Sequence, residues 1–178
     1  GTSCVNLPET HEIVKLLRLI VNYINPHALI VTETNLPRKE NLSYFGNNDE
    51  ANWIYNFPLP PLILYTFLFE DSSKISGWSK SMPPAQINNA YLNFIASHDG
   101  IGMRPAEGIL DNIILDKLFK RVKKNGGKFS FRKVESKNKV YEANITLFDA
   151  LKRTDFDKDA IFAVERYIAA HSILLALE

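Results

Sequence analysis

Cysteine is nearly absent from this sequence of 178 residues, in which Cys4 is the only one. An internal disulfide is therefore excluded, and a reducing compartment, the cytoplasm, is the expected location. No signal peptide is recognisable at the start of the sequence, which agrees with that location. We expect Cys4 to be a small buried apolar residue rather than a nucleophile.

An excess of charge is also missing, because 21 lysines and arginines are balanced by 20 aspartates and glutamates. Charge therefore offers no argument for binding to nucleic acid or to a membrane. The longest strongly apolar stretch, 59–69, is too short to span a bilayer and contains two prolines. One basic cluster is expected to be the solvated face of a helix: Lys117, Lys120, Arg121, Lys123, Lys124 and Lys128.

Motifs for metals and nucleotide cofactors are missing as well. The segment Gly100-Ile101-Gly102 lacks the third glycine of a dinucleotide-binding turn, and no serine lies in a nucleophile elbow. The histidines lack the spacing of metal ligands, so no metal site is expected at His11, His27, His98 or His171.

Hydrophobic residues are plentiful, at 46% of the sequence, which at this length favours one domain with a sizeable core. The first predicted helix has apolar residues at helical spacing, with Thr10 as its expected N-cap. The run 28–31 does not alternate, so we expect a strand buried on both faces of a parallel sheet. The predicted elements are helices at 11–25, 61–70, 107–124 and from about Asp155 or Asp157 to 178, strands at 28–33, 51–57 and 91–97, and a loop at 38–50.

Strands that alternate with helices predict an α/β fold. A complete (β/α)8 (TIM) barrel needs about 250 residues, and only three barrel strands are evident, so the chain looks like an interior slice of a larger barrel. Alternation at Phe129 and Phe131, followed by a polar turn, predicts a small inserted β-hairpin. The expected division is a partial barrel at 1–127, the hairpin at 128–152 and a barrel helix at 153–178.

Polar side chains follow two of the predicted strands: Glu33 after the first, and His98 with Asp99 after the third. The carboxyl ends of parallel strands are where ligand chemistry collects, and paired carboxylates there suit glycoside cleavage. The spacing leaves structural alternatives open. Glu33 equally suits a turn cap or a surface ion pair, Asp99 a helix N-cap, and His98 a hydrogen-bonded core position.

Longer stretches carry a more specific signal. The chain resembles the sucrose phosphorylases of the α-amylase superfamily (glycoside hydrolase family 13) in VTETN around Glu33, ENLSYFG at 40–46, YNFPLPPL at 55–62 and ASHDGIGMRPAEGIL at 96–110. The opening GTSCVNLPETHEIVKLLR is similar to the stretch that follows the family's nucleophile strand. YEANITLFDALK at 141–152 resembles its second acceptor-side loop.

The resemblance implies roles for individual residues. Glu33 corresponds to the general acid/base, Asp99 to the carboxylate that stabilises the transition state, and His98 to a ligand of the same sugar. Acceptor-side binding falls to Arg104 in the first loop and to Tyr141 and Glu142 in the second. A looser assignment places Asn35, Tyr44 and Phe45 at the donor pocket or its rim.

The implied reaction is a retaining double displacement. An aspartate attacks the anomeric carbon, the acid/base protonates the leaving oxygen, and inorganic phosphate intercepts the glucosyl-enzyme to give α-glucose 1-phosphate. The resemblance implies no cofactor and no metal. Because the nucleophile strand would precede Gly1, the isolated chain is expected to be inactive, and its exposed half-barrel to self-associate.

The resemblance does not decide the identity of the acceptor. The RPAEG sequence resembles that of relatives that act on glucosylglycerate, glucosylglycerol or sucrose 6-phosphate. Glu142 points the same way, because sucrose-specific relatives tend to carry glutamine at that position. Arg104 suits either a phosphate or carboxylate of the substrate or a salt bridge with Glu107. The other hypotheses are a hydrolase or transglucosidase of the same superfamily and a non-catalytic α/β interaction fragment.

Overall fold

The structure, a computed structural model, describes residues 4–134, 136–152 and 162–177. Its contacts divide the chain into two compact units, Gly1–Asn56 with Pro83–Leu92, and Phe57–Met82 with Asn93–Glu178. Helices and strands occur in both units, so the predicted α/β class is confirmed. The domain boundaries expected at 127 and 152 stay a prediction.

A parallel three-stranded sheet lies at the centre of the first unit. Its strands are β1 (Val31–Thr32), β2 (Trp53–Tyr55) and β3 (Ala90–Leu92), with β2 in the middle. All three were predicted, but each is shorter than expected; the strand expected at 91–97 ends at Leu92. Since the strands are parallel, their carboxyl ends lie at one edge of the sheet, and Glu33 follows β1 at that edge.

The first helix, α1 (Pro8–Ile24), begins earlier than predicted. Its N-cap is Leu7 rather than Thr10, and Pro8 occupies the first turn, where a missing backbone N–H costs nothing. The Thr10 hydroxyl instead donates a hydrogen bond to the Cys4 carbonyl oxygen. Cys4 itself is exposed, so the expectation that it is buried is wrong.

The apolar face of α1 is not covered by the described part of the first unit. The buried residue on this helix is Arg18, whose Nη1 donates to the Glu50 carbonyl oxygen at 2.9 Å. Val31 of β1 is also exposed, which contradicts the expectation of burial on both faces. An apolar helix face or strand is buried only when a second layer of secondary structure packs against it, and the described residues of this unit do not provide that layer. Five of the six apolar residues predicted to face the core are between 44% and 75% exposed, namely Ile13, Leu16, Leu17, Ile20 and Ile24, and the sixth, Val21, is half-buried.

A short helix, α2 (Arg38–Ser43), replaces part of the loop predicted at 38–50. Its polar sequence resembles a loop, but the Asn41 side chain is buried and its Nδ2 donates to the Tyr55 carbonyl oxygen at 2.9 Å. The helix therefore depends on a tertiary hydrogen bond. It lies beside the apolar cluster of this unit, which is made by Leu36, Tyr44, Phe45, Ala51 and Ile54.

The second unit is built around α3 (Leu59–Phe69), which the sequence predicted at 61–70 as a helix apolar on all sides. That prediction is confirmed, because eight of its residues are buried. The next helix, α4 (Ser73–Ser81), was not predicted, and it carries Trp78 into the same core. Trp78 is the buried residue of α4 and packs in that core.

Helix α5 (Asn112–Lys124) starts later than the predicted residue 107. Asp111 caps it, since its Oδ1 accepts a hydrogen bond from the Ile114 backbone N–H at 2.8 Å. The helix buries Leu115, Leu118 and Val122 and leaves its lysines at the surface, as expected for an amphipathic helix.

A hairpin follows α5 where the sequence predicted one. Strands β5 (Lys128–Val134) and β6 (Lys137–Asn144) pair antiparallel, and β4 (Ile101–Gly102) joins the other edge of β6. The segment that follows Asp99 is thus part of the hairpin sheet. Within the described part of the unit, two further helices follow, α6 (Leu147–Ala150) and α7 (Ala163–Ala176).

The start predicted for the last helix, near Asp155 or Asp157, lies outside the described residues. Across the residues that are described, no helix combines the length and the apolar character needed to cross a membrane.

Candidate active site

Glu33 presents a free carboxylate at the carboxyl end of β1. Its side chain is exposed, and within the described residues it makes no hydrogen bond and no ion pair. Neither structural alternative, a turn cap or a surface ion pair, is therefore seen there. A carboxyl group without a structural partner is available for proton transfer to a ligand.

The chain beside Glu33 is held by Asn41. The Thr34 hydroxyl donates to Asn41 Oδ1 at 2.5 Å, and the same amide is tied to the end of β2 through Tyr55. Asn41 therefore fixes the residue next to Glu33 relative to the sheet edge. Sequence reasoning missed this role, since an asparagine in a polar stretch carries no signal that it will be buried.

Two residues assigned to the donor pocket are core residues instead. Tyr44 is buried, and its hydroxyl accepts a hydrogen bond from the Asn6 backbone N–H at 3.0 Å. Phe45 is buried too, with its ring edge-on to that of Tyr91 at 5.6 Å between centroids. Their looser assignment to the pocket is wrong. Asn35 is half-buried, and its assignment to the donor pocket or its rim stays a prediction.

His98 and Asp99 lie together on an exposed turn of the second unit. Their side chains are 87% and 55% exposed, and His98 Nε2 lies 3.4 Å from Asp99 Oδ1. The core position considered for His98 is thus excluded. Asp99 is followed by β4 rather than by a helix, so it is not an N-cap either.

The turn that carries Asp99 is tightly constrained. Ser97 and Gly100 exchange backbone hydrogen bonds, and the Asp99 N–H donates to Ser97 Oγ at 3.3 Å. Gly100 has φ +110°, and a β-carbon there would overlap the carbonyl oxygen of Ala143 on β6. Only glycine meets both requirements, so the turn lies directly against the hairpin.

The predicted acceptor-side residues lie on elements that meet in the same sheet. Arg104 begins a short 3-10 turn after β4, and Tyr141 and Glu142 lie on β6. Glu142 is opposite Gly102 in the register, and the Met103 N–H donates to the Tyr141 carbonyl oxygen at 2.9 Å.

Burial raises the pKa of the Glu142 carboxyl group, and the nearby negative charge of Asp99 raises it further. Asp99 and Glu142 are therefore close enough to interact electrostatically.

Glu107 links the first acceptor-side loop to the hairpin. Arg132 Nη2 on β5 donates to both of its carboxylate oxygens, at 3.0 and 3.2 Å, and Lys139 Nζ on β6 lies 3.8 Å away. These contacts are partly exposed, and surface ion pairs contribute little to stability. Both alternatives considered for Arg104, a substrate anion and a salt bridge with Glu107, stay untested.

Comparison with known proteins shows which proteins the chain is similar to. No family model matches the chain. Across its whole length, however, it is 43% identical to a glucosylglycerate phosphorylase from Allomeiothermus silvanus, of which it covers 32%. It is also 38% identical to a glucosylglycerate phosphorylase from Escherichia coli, over 99% of the chain and 32% of that protein.

A solved structure shares the fold. The structure matches a crystal structure of sucrose 6F-phosphate phosphorylase from Thermoanaerobacter thermosaccharolyticum with a TM-score of 0.76 and 22% identity. That match covers 99% of the chain and 34% of the solved one. The chain is therefore similar to one segment of these phosphorylases. The resemblance seen in the sequence is thereby confirmed, and the chain spans about a third of the length of the relatives that it matches.

The structure brings five of the six predicted site residues into one unit. His98, Asp99, Arg104, Tyr141 and Glu142 all lie in the second unit, whereas Glu33 lies in the first. The expectation that Glu33 and Asp99 act as a pair of carboxylates stays a prediction. Within the described residues, no group of three or more histidine, cysteine, aspartate or glutamate side chains is arranged to hold a metal ion.

Proposed function

We propose that this chain is part of the catalytic barrel of a retaining α-glucoside phosphorylase, which transfers a glucosyl group to phosphate and releases α-glucose 1-phosphate. The identity of 38% to 43% with three glucosylglycerate phosphorylases carries this proposal. Glucosylglycerate is accordingly the proposed donor, ahead of sucrose, sucrose 6-phosphate and glucosylglycerol. The identity with a glucosylglycerol phosphorylase from Marinobacter adhaerens is lower, at 27%.

In the proposed reaction Glu33 is the general acid/base. It protonates the leaving oxygen of the acceptor as the glucosyl–enzyme bond forms, and it accepts a proton when phosphate attacks. Its exposed, unpartnered carboxylate at a strand end supports this role. The retaining mechanism needs a nucleophile about 5–5.5 Å from the acid/base, which the resemblance assigns to a residue outside these 178.

Asp99 and His98 are proposed to bind the glucosyl hydroxyls. Their exposure on a constrained turn leaves them accessible to a sugar while their backbone is held in place. A carboxylate fixed beside the sugar stabilises the positive charge that develops at the anomeric centre. Because this charge is largest in the transition state, the contact lowers the barrier rather than merely tightening binding.

To test this proposal, the chain is combined with the rest of the barrel from a related enzyme. In a chimera, hereafter the phosphorylase chimera, this chain replaces its aligned third of the Allomeiothermus silvanus enzyme. We expect the chimera to release α-glucose 1-phosphate from glucosylglycerate and phosphate. A folded chimera that releases free glucose at the same rate with and without phosphate would favour the hydrolase hypothesis. One that melts cooperatively but shows neither activity would overturn the proposal.

Arg104 is proposed to bind the carboxylate of the glycerate group. Replacing Arg104 with alanine in the phosphorylase chimera should raise KM for glucosylglycerate roughly 10- to 100-fold, the cost of a lost charge-assisted hydrogen bond. KM for a neutral glucoside should change little. Arg104→Lys, which keeps the charge but not the planar fork, should fall between the two. Equal changes in KM for the anionic and the neutral donor would contradict the assignment.

The isolated chain is proposed to be inactive and self-associating. Without a nucleophile it should release no glucose 1-phosphate, and the uncovered face of α1 should make sedimentation depend on concentration. Ile24→Lys on that face should weaken the association. Ile113→Lys on α5 is the matched control, because Ile24 and Ile113 are similarly exposed, at 75% and 70%. A monomer at all concentrations, or turnover by the chain alone, would rule out the corresponding half of this prediction.

A further inference from the structure

Asn144 stands at the end of β6, where the hairpin meets the turn that carries Asp99. Its side-chain Nδ2 donates to the carbonyl oxygen of Asp99 at 3.1 Å. Its Oδ1 accepts a hydrogen bond from Ser130 Oγ on β5 at 2.9 Å. A hydrogen-bonded path therefore runs from one hairpin strand through Asn144 to the backbone of Asp99.

This path complements the other constraints on the turn. The Asp99 N–H is held by Ser97 Oγ, and the backbone of the turn approaches Ala143 so closely that only glycine fits at position 100. The contact from Asn144 is the one that reaches the Asp99 carbonyl from outside the turn. It acts on the peptide group of Asp99 and leaves the carboxylate of Asp99 free for a ligand.

We propose that Asn144 is a positioning residue, which orients the Asp99 carboxylate for catalysis by fixing the backbone of its turn to the hairpin. This inference rests on the proposed role of Asp99. A shift of about 1 Å in a catalytic group costs up to about 100-fold in rate, so one anchoring hydrogen bond has a measurable effect. Through Asn144 and Ser130, the hairpin thus positions a residue on the glucosyl side of the site, in addition to carrying residues of the acceptor side.

Both residues suit mutagenesis. Asn144 is exposed and Ser130 is half-buried, and neither belongs to the apolar core of the unit. Substitution should therefore leave the melting temperature of the phosphorylase chimera unchanged. Asn138, an exposed asparagine further along β6, is a matched control, because it faces Lys133 in the register rather than the Asp99 turn.

The test is a double-mutant cycle in the phosphorylase chimera. Asn144→Ala should lower kcat roughly 10- to 100-fold, whereas Asn138→Ala should not. In the Asp99→Asn background, the Asn144→Ala change should cost less than about threefold, because its effect passes through the Asp99 carboxylate. Ser130→Ala should show a smaller loss, which disappears in the Asn144→Ala background.

The outcomes separate this inference from the proposed function. If Asp99→Asn leaves turnover intact, the proposed role of Asp99 fails, and the inference fails with it. If Asp99→Asn abolishes turnover but Asn144→Ala has no effect, or the same effect in both backgrounds, then only the positioning role is overturned. If Asn144→Ala lowers the melting temperature, the Ser130→Ala variant decides between the alternatives. A loss of kcat on Ser130→Ala that is absent in the Asn144→Ala background supports the hydrogen-bonded path. A loss of kcat that is the same in both backgrounds refutes it.

Discussion

Replacing Glu33 with glutamine in the phosphorylase chimera should lower kcat/KM for glucosylglycerate roughly 100- to 10,000-fold, the range expected for loss of a general acid. The amide keeps the shape of the side chain but cannot protonate the leaving oxygen. Since Glu33 is exposed and unpartnered within the described residues, the change should not affect folding. Initial rates of glucose 1-phosphate release, together with a melting curve, provide the measurement.

A substrate with a good leaving group sharpens this test. Fluoride leaves without protonation, so the rate with α-glucosyl fluoride should fall much less than the rate with glucosylglycerate. Glu12→Gln is the matched control, because Glu12 is an exposed glutamate of α1 whose partner is Lys15. Equal losses with both substrates would mean that Glu33 does not act as the acid. Full activity of the Glu33→Gln variant would favour the non-catalytic hypothesis.

The second large effect is expected from Asp99→Asn. Removing its negative charge should lower kcat roughly 100- to 1,000-fold, comparable with the loss of a group that stabilises a charged transition state. In contrast to Glu33→Gln, the loss should be similar for glucosylglycerate and for glucosyl fluoride, because both pass through a positively charged anomeric centre. The comparison between the two substrates thus assigns different roles to the two carboxylates.

The control for Asp99 is Asp116→Asn, an exposed aspartate on α5. A variant at position 99 that keeps kcat but binds the donor more weakly would show that Asp99 only binds the substrate. A melting temperature well below that of the unchanged chimera would instead assign the residue to folding of the turn. Neither result agrees with the proposed role.

The main elements of the fold were predictable from local pattern. Helix α3 is apolar on all sides and is buried, α5 has an amphipathic repeat with a clear stop at Asn125, and the hairpin strands appear where Phe129 and Phe131 alternate. Each of these signals is contained in a few neighbouring residues. Helix α2 was missed because its short polar segment is stabilised by a contact with a distant residue, and α4 because Trp78 is the buried residue of an otherwise mostly polar segment.

The residues of the candidate site were likewise predictable only in part from the sequence. The polar residues after the strands, and the longer stretches of family-like sequence, were enough to indicate Glu33 and Asp99. The contacts that hold them were not predictable. Asn41 binds Tyr55 and Asn144 binds Asp99 across separations of 14 and 45 residues, and an asparagine has no sequence signal that indicates such a partner.

The sequence by itself determined the α/β class, the resemblance to phosphorylases and the residues proposed for chemistry, because these depend on residue types and their local order. Only the tertiary structure decided which of those residues are exposed, which ones belong to the core, and which side chains brace the Asp99 turn. Tyr44 and Phe45 illustrate the difference, since they lie close to Glu33 in sequence but are buried in the apolar cluster. Burial is a property of how separate segments meet, and no single segment encodes it.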